Sequence, residues 1–217
     1  MENNIFQDDD VNQQKAAAIM AASKPILAEL SEAGYKVERI SDLNNQRINY
    51  KHAIPVLIKW LPIVENPVIK EVIVRALSVP WAKSSNISEL LINEFEKAGT
   101  NFALKWAIGN ALSVVANDNV RSSVVDLIRD ESHGKAREML VLSLGNMRTN
   151  DVEEVLIDLL NDENLVGYAI MALGKLKSEK ARATIEKLTT HPKSWVRKEA
   201  KKTIELIDKN KKEPKQD

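Results

Sequence analysis

The segment LVGYAIMALGKL, residues 165–176, decides the fold of this chain, because four other segments can be laid over it without gaps. Those segments are 67–80, 102–116, 135–148 and 194–209. One apolar position is then shared by Leu77, Leu112, Leu144, Leu173 and Ile204, at steps of 35, 32, 29 and 31 residues. Five similar units at a near-constant period predict a stacked array of helices.

Each of these segments is preceded by another segment with helical spacing of apolar residues. The preceding segments are 51–64, 87–98, 119–129, 151–160 and 178–189. Polar loops of two to six residues, such as NDEN and HPKS, separate the two members of a pair. Because such short connections force neighbouring helices to run antiparallel, the sequence predicts five helix pairs.

The segments LVGYAIMALGKL and WVRKEAKKTIELI resemble the second helix of a HEAT or HEAT-like repeat, in which an Arg precedes small residues and an Ala-Leu-Gly. The Arg position is occupied by Lys70, Lys105, Arg137 and Arg197, whereas Val166 departs from it. Asp130 and Asp162 stand where the family has an aspartate between the helices, and His191 replaces it in the last loop. The resemblance covers about residues 50–209. It implies an all-α, right-handed α-solenoid of armadillo type.

Four segments are predicted along the chain. Residues 1–10 form a disordered acidic lead, and residues 11–49 an N-terminal helical cap whose first helix starts near Val11 and is broken or kinked at Pro25. Residues 50–209 form the HEAT-like array, and residues 210–217 a disordered basic tail.

Composition limits the classes of function. Lys plus Arg equals Asp plus Glu at 31 each, so no net field attracts nucleic acid or anionic lipid. The chain has no cysteine, which excludes disulfides and thiolate chemistry. Its acidic start lacks the order of a signal peptide, and its longest apolar stretch is too short to span a bilayer. The expectation is a cytoplasmic monomer without membrane contact.

No catalytic constellation is predicted. His52, His133 and His191 lie on different repeats, and none has a second metal ligand at suitable spacing on the same helix face. The glycine-rich phosphate motifs and the nucleophile-elbow motif are absent. We therefore expect neither enzymatic activity nor a cofactor or metal, although acids brought together across repeats could still form an active site.

The register also predicts a binding face, since second helices line the concave side in HEAT-like solenoids. One outer position is occupied by Glu71, Trp106, Glu138, Gly167 and Lys198. Trp106 is either packed against the next helix or an exposed anchor for a partner. A second position runs through Val74, Gly109, Val141, Ile170 and Lys201, and a third through Arg75, Asn110, Leu142, Met171 and Lys202.

The apolar residues of these last two rows predict a protein contact. Val141 and Ile170 could equally be half-buried between adjacent helices, whereas Leu142 and Met171 fit an open face better. The row of Lys70, Lys105, Arg137 and Arg197 has two interpretations as well. It is either a basic stripe for nucleic acid or a ladder that pairs with Asp130 and Asp162 and joins one repeat to the next, as the family resemblance implies.

The leading hypothesis is a binding module, an adaptor, scaffold, regulator or immunity-type protein that grips a protein partner of unknown identity. The alternative is a nucleic-acid-binding protein related to the HEAT-like DNA alkylation-repair glycosylases. It is weakened because Trp60, Trp81, Trp106 and Trp195 form no Trp-Trp-Asp-type cluster and the charge is balanced. A tetrapyrrole-handling role, known for similar repeats, has no support from particular residues here.

Overall fold

The computed structural model describes residues 3–45, 49–83, 86–149 and 151–212. Every regular element in these ranges is helical, so the all-α prediction is confirmed. The chain divides into two compact units, residues 1–82 and 83–217. The first unit contains α1 (Asn3–Glu32), α2 (Asp42–Asn45), α3 (Ile54–Trp60) and α4 (Pro67–Leu77). The second contains α5 (Ile87–Lys97), α6 (Phe102–Val115), α7 (Arg121–Arg129), α8 (Ala136–Leu144), α9 (Val152–Asp158), α10 (Val166–Leu176), α11 (Arg182–Lys187) and α12 (Ser194–Lys212).

The N-terminal helix differs from its prediction. It begins at Asn3 instead of near Val11, and it continues unbroken through Pro25. A proline inside a helix removes one backbone hydrogen bond. Ile26 and Leu30, both fully buried, follow the proline on a helix that packs against α3 and α4. This packing outweighs the loss of one hydrogen bond, and the helix therefore does not end there.

The boundaries of the predicted array also change. All ten predicted segments contain a helix, but α3 and α4 belong to the same compact unit as α1. The division falls after residue 82 and not at 49/50, because α1 packs on this first helix pair. At the other end, α12 continues past 209 to Lys212. Lysines in a last helical turn are stabilised by the negative end of the helix dipole. Residues 1–2 and 213–217, part of the predicted lead and tail, lie outside the described residues.

The second unit is built from four antiparallel helix pairs. Each first helix packs against its own second helix, as α5 on α6, α7 on α8, α9 on α10 and α11 on α12. The second helices also pack in succession, α6 on α8, α8 on α10 and α10 on α12. Every pair is therefore joined to the next through its second helix.

Small residues allow these second helices to approach closely. A Cβ atom added to Gly109 on α6 would lie 2.7 Å from the Cβ of Met139 on α8. A Cβ on Gly145, at the end of α8, would lie 3.2 Å from the Cα of Ala172 on α10. The Cβ of Met139 occupies the space of a side chain at Gly109, and the backbone of Ala172 crowds that space at Gly145.

The shared apolar position forms the core of the successive pairs. Leu77, Leu112, Leu144 and Leu173 are each 0% exposed, and Ile204 is half-buried on the last helix. Within a protein interior each such leucine contributes the burial of a whole side chain, typically about 1.5–3 kcal/mol. The register that the sequence predicts is therefore the register of the core.

In the loop before each second helix, a side chain accepts a hydrogen bond from a backbone N–H two or three residues further along the chain. Asn66 Oδ1 accepts from the backbone N–H of Val68, and Asn101 Oδ1 accepts from that of Leu104. Asp130 and Asp162 accept from the backbone in the same way, at 2.9 and 2.8 Å. In the last loop, His191 Nδ1 accepts from the N–H of Lys193 at 3.1 Å. His191 therefore takes over the backbone hydrogen bond that the aspartates make.

Candidate binding surface

Most of the second predicted outer row is not at the surface, and only Lys201 of that row is exposed. Val74, Val141 and Ile170 are each 0% exposed. Gly109, in the same row, is buried against Met139. In the second unit this position on α6, α8 and α10 faces a neighbouring second helix. Val74, on α4 of the first unit, is 0% exposed and offers no area to a partner, contrary to the prediction.

The third row does reach the surface of the second unit. Leu142 on α8 is half-buried, and Met171 on α10 is 37% exposed. Lys202 occupies the same position on α12 and is exposed. The helices that carry them are held together by close packing of Gly145 on Ala172 and by a hydrogen bond from Thr203 Oγ1 to the carbonyl of Ile170, 3.3 Å long. The row therefore crosses three adjacent helices.

Trp106 and Glu138, from the first outer row, are both half-buried. Glu138 interacts with Tyr168 on the next second helix. Burial, together with this carboxylate, raises the pKa of the Tyr168 hydroxyl to about 12. Glu138 is therefore engaged within the unit. Trp106 has a large ring that is partly exposed on α6.

The remaining predicted contact residues lie in the first unit. Glu71 and Arg75 are neighbours on one turn of α4, where Arg75 Nη2 lies 2.7 Å from Glu71 Oε1. Both side chains are partly exposed. An exposed pair of this kind contributes little to stability.

The predicted ladder residues make two different connections in the second unit. Arg137, which is largely buried, donates from Nε to the carbonyl of Ile128 at 2.5 Å and places Nη2 3.4 Å from Asp162 Oδ2. This ion pair joins α8 to the loop before α10. Lys105 on α6 instead reaches the loop before α8 through His133, with its Nζ 3.1 Å from His133 Nδ1. His133 Nε2 in turn lies 3.5 Å from Asp130 Oδ2.

The other two ladder positions differ. Arg197 donates from Nη1 to the backbone carbonyls of His191 and Pro192, at 2.7 and 2.8 Å. It therefore fixes its own loop instead of the next one. Lys70 is half-buried on α4 of the first unit. Most of this row is occupied with internal contacts, which favours the ladder interpretation over a basic stripe.

The Lys105–His133–Asp130 chain makes stability depend on pH. Burial and the charge of Lys105 lower the pKa of His133 below its usual value of about 6.5. Asp130 acts in the opposite direction, and Arg137 lowers this pKa slightly further. The fold therefore favours neutral His133, whose Nδ1 accepts from the ammonium group. Since the unfolded chain binds the proton more readily, this stabilisation is present above about pH 6.5 and is lost as the pH falls below it.

We expect the unfolding free energy to fall from about pH 7 to about pH 5, and to fall less steeply in His133→Gln, which cannot titrate. Urea unfolding at several pH values measures this slope. Lys105→Met removes the charge that is the second cause of the lowered pKa. It should reduce the slope of the unfolding free energy against pH without abolishing it. Equal slopes in the native protein and His133→Gln would contradict the assignment.

Two features of the surface escaped the sequence analysis. Trp195 is 41% exposed, and its ring lies directly over Gly167, where an added Cβ would be 2.0 Å from it. The Tyr168 ring meets it at 5.5 Å in an edge-on arrangement. The second feature is Lys175, whose Nζ donates to Asn146 Oδ1. The signal for Trp195 was present, since Gly167 interrupts a row of large residues and leaves room for a ring.

Both units contain pockets. One, of about 610 Å³, lies in the second unit and has charged walls of both signs, including Lys135, Glu138 and Glu163. The other, of about 210 Å³, lies between α1 and α4 and is mainly apolar, with Leu27, Ile40 and Val72 in its wall. Among the described residues there is no group of three His, Asp or Glu side chains suited to a metal. In that same part of the chain, no helix has the length and apolar content needed to cross a membrane.

Comparisons of the chain with models of known families, with curated proteins and with solved structures found no match. A function has to be inferred from the surface of the chain itself.

Proposed function

We propose that this chain is a non-catalytic, monomeric binding module of the cytoplasm that grips a protein partner. The contact residues are Trp106, Leu142 and Met171. The observation that carries the proposal is the difference between two adjacent positions on the second helices. Val141 and Ile170 are fully buried, whereas Leu142 and Met171, which follow them directly, reach the surface.

The packing of the second unit supports a HEAT-like solenoid as the architecture of this module. In such an array each pair is fixed to its neighbours and presents one helix of each pair on a common face. The successive packing of α6, α8, α10 and α12 supports this architecture. Polar contacts reinforce it, because Asn146 Nδ2 donates to the carbonyl of Ser113 at 2.7 Å and Arg182 pairs with Asp208 at 2.7 Å. A rigid frame of this kind keeps Leu142 and Met171 in fixed relative positions.

The chemistry of the row also supports protein binding. Exposed apolar side chains have unfavourable contact with water, and covering them with a partner removes that cost. Methionine adapts its shape to a partner because it is unbranched and polarisable. Trp106 adds the residue type that most often dominates binding energy at interfaces.

The alternative is a nucleic-acid-binding HEAT-like protein. One observation favours it, namely the series of exposed lysines on α12, including Lys198, Lys201 and Lys202. Lysines of this kind can contact phosphates without reading sequence.

Site-specific photo-crosslinking tests the proposal. A photoreactive amino acid at Leu142 is expected to trap a protein from an extract of the source cells, and unlabelled native chain should compete. The same group at Asp126, an exposed position on α7, is the control and should trap none of it. Equal trapping at the two positions, or a trapped species that nuclease treatment removes, would overturn the proposal.

A further inference from the structure

One stripe of α12 combines apolar and basic side chains. Trp195, Lys198, Lys202, Leu206 and Lys209 recur at steps of three or four residues, which places them along one side of a helix. All five are exposed, Trp195 by 41% and Leu206 by 42%. A partner that covers this stripe must therefore offer both negative charges and apolar side chains.

The adjacent helix α10 has the same combination. Met171 is exposed and lies one turn before Lys175. Lys175 Nζ donates to Asn146 Oδ1 and to the carbonyl of Ser113, the latter at 3.5 Å. Burial and the nearby charges of Lys83 and Arg148 lower the pKa of Lys175. An exposed methionine and an exposed lysine therefore lie one turn apart on α10.

These two helices pack on one another, since a Cβ added to Gly174 on α10 would lie 2.7 Å from Thr203 Oγ1 on α12. Their exposed residues form the α10–α12 face, which we define as Met171, Lys175, Trp195, Lys198, Lys202 and Leu206. Carboxylates also adjoin it. Glu199 lies 3.7 Å from Lys202, and Glu205 is exposed beside Leu206. Lysines predominate over the face as a whole.

We propose that the α10–α12 face binds an acidic protein segment that also bears apolar side chains, such as an amphipathic acidic helix. This inference rests on the proposed function and specifies its partner. Carboxylates of the segment meet the lysines, and its apolar side chains cover Met171 and Leu206. Complementary charge sets the orientation of such complexes and speeds their association, while apolar contacts hold them.

The apolar residues decide between an acidic protein and a nucleic acid. Aliphatic side chains such as Met171 and Leu206 find no counterpart on a sugar-phosphate backbone, whose binding depends on charge and hydrogen bonds. The chain as a whole also has no net charge, with 31 basic and 31 acidic residues. A surface that sets lysines beside aliphatic groups suits a protein of opposite charge better.

Fluorescence anisotropy with labelled synthetic peptides tests this inference on the full-length chain. The probe is an amphipathic helix with Glu on one face and Leu on the other. A second peptide has Lys in place of Glu, a third has Ser in place of Leu, and labelled duplex DNA is the fourth ligand. We expect the first peptide to bind most tightly of the four ligands. Raising the salt concentration should lower its affinity by about tenfold.

Two pairs of substitutions assign the binding to this face. Lys198→Gln with Lys202→Gln should weaken binding of the acidic peptide by about tenfold or more. The matched control, Lys36→Gln with Lys51→Gln, changes exposed lysines of the first unit and should leave the affinity unchanged. Since all four side chains are exposed, the fold should be preserved, and circular dichroism verifies this.

The inference would be overturned if the chain bound DNA more tightly than the acidic peptide. It would also be overturned if Lys198→Gln with Lys202→Gln bound that peptide as tightly as Lys36→Gln with Lys51→Gln. These outcomes are separate from failure of the proposed function. If the crosslink at Leu142 still traps a protein while Lys198→Gln with Lys202→Gln leaves that trapping intact, the binding module stands and only its acidic partner is refuted. If Leu142 traps no protein, both fail.

Discussion

Replacing Leu144 with alanine is expected to lower the free energy of unfolding by about 2–5 kcal/mol, the largest stability change that we predict for a single substitution. Leu144 is the last residue of α8 and is 0% exposed. Its helix packs against α6, α7 and α10, so removal of the side chain leaves a cavity with walls from several helices. Because those helices are tied together, they can close around the cavity only in part. Urea unfolding monitored by circular dichroism measures the effect.

Leu142→Ala is the matched control for this substitution. It makes the same chemical change two residues earlier in the same helix, at a position that is only half-buried. It should therefore cost clearly less than Leu144→Ala, since part of the side chain is in water already. If the two variants lose equal stability, the orientation of α8 that places Leu142 at the surface is wrong.

Replacing Leu142 and Met171 together with serine is expected to weaken binding of the protein trapped at Leu142 by about 2 kcal/mol or more, roughly 30-fold in affinity. Truncation of apolar anchors at the centre of an interface typically has effects of this size, whereas their neighbours contribute little. Trp106→Ala should act in the same direction with a similar magnitude. Isothermal titration calorimetry with the purified partner gives the affinities.

The control for this experiment is Ile63→Ser, a substitution of an exposed aliphatic residue, 55% accessible, in the first unit. It should leave the affinity unchanged. Unfolding curves of all variants separate lost binding from lost folding. If the double variant unfolds while its folded fraction still binds at full affinity, Leu142 and Met171 belong to the core and the partner contacts another surface.

Much of the fold could be predicted because helices are encoded locally. The spacing of Leu112, Leu144 and Leu173 predicted both the helical segments and the positions that are buried. Short polar loops with Asn101 and Asp162 predicted where second helices start, since these side chains satisfy backbone N–H groups at the start of a helix. Each of these signals lies within a few residues of the structure that it specifies.

The site was only partly predictable, because exposure depends on how closely neighbouring helices pack. Val74 and Val141 are as apolar as Leu142, and sequence alone could not rank their exposure. The close approach of Gly109 to Met139 and of Gly145 to Ala172 brings α6, α8 and α10 together and buries Val141 and Ile170 between second helices.

For this protein, the sequence by itself determined the helical class, the period of the pairs and the core leucines, because these follow from 3.6-residue periodicity and local capping. Tertiary structure alone decided three other features. It kept α1 continuous through Pro25, set the unit boundary after residue 82, and buried Val141 and Ile170. The physical reason is common to all three. Each depends on contacts between residues distant in the chain, whose energies outweigh local preference and leave no periodic pattern in the sequence.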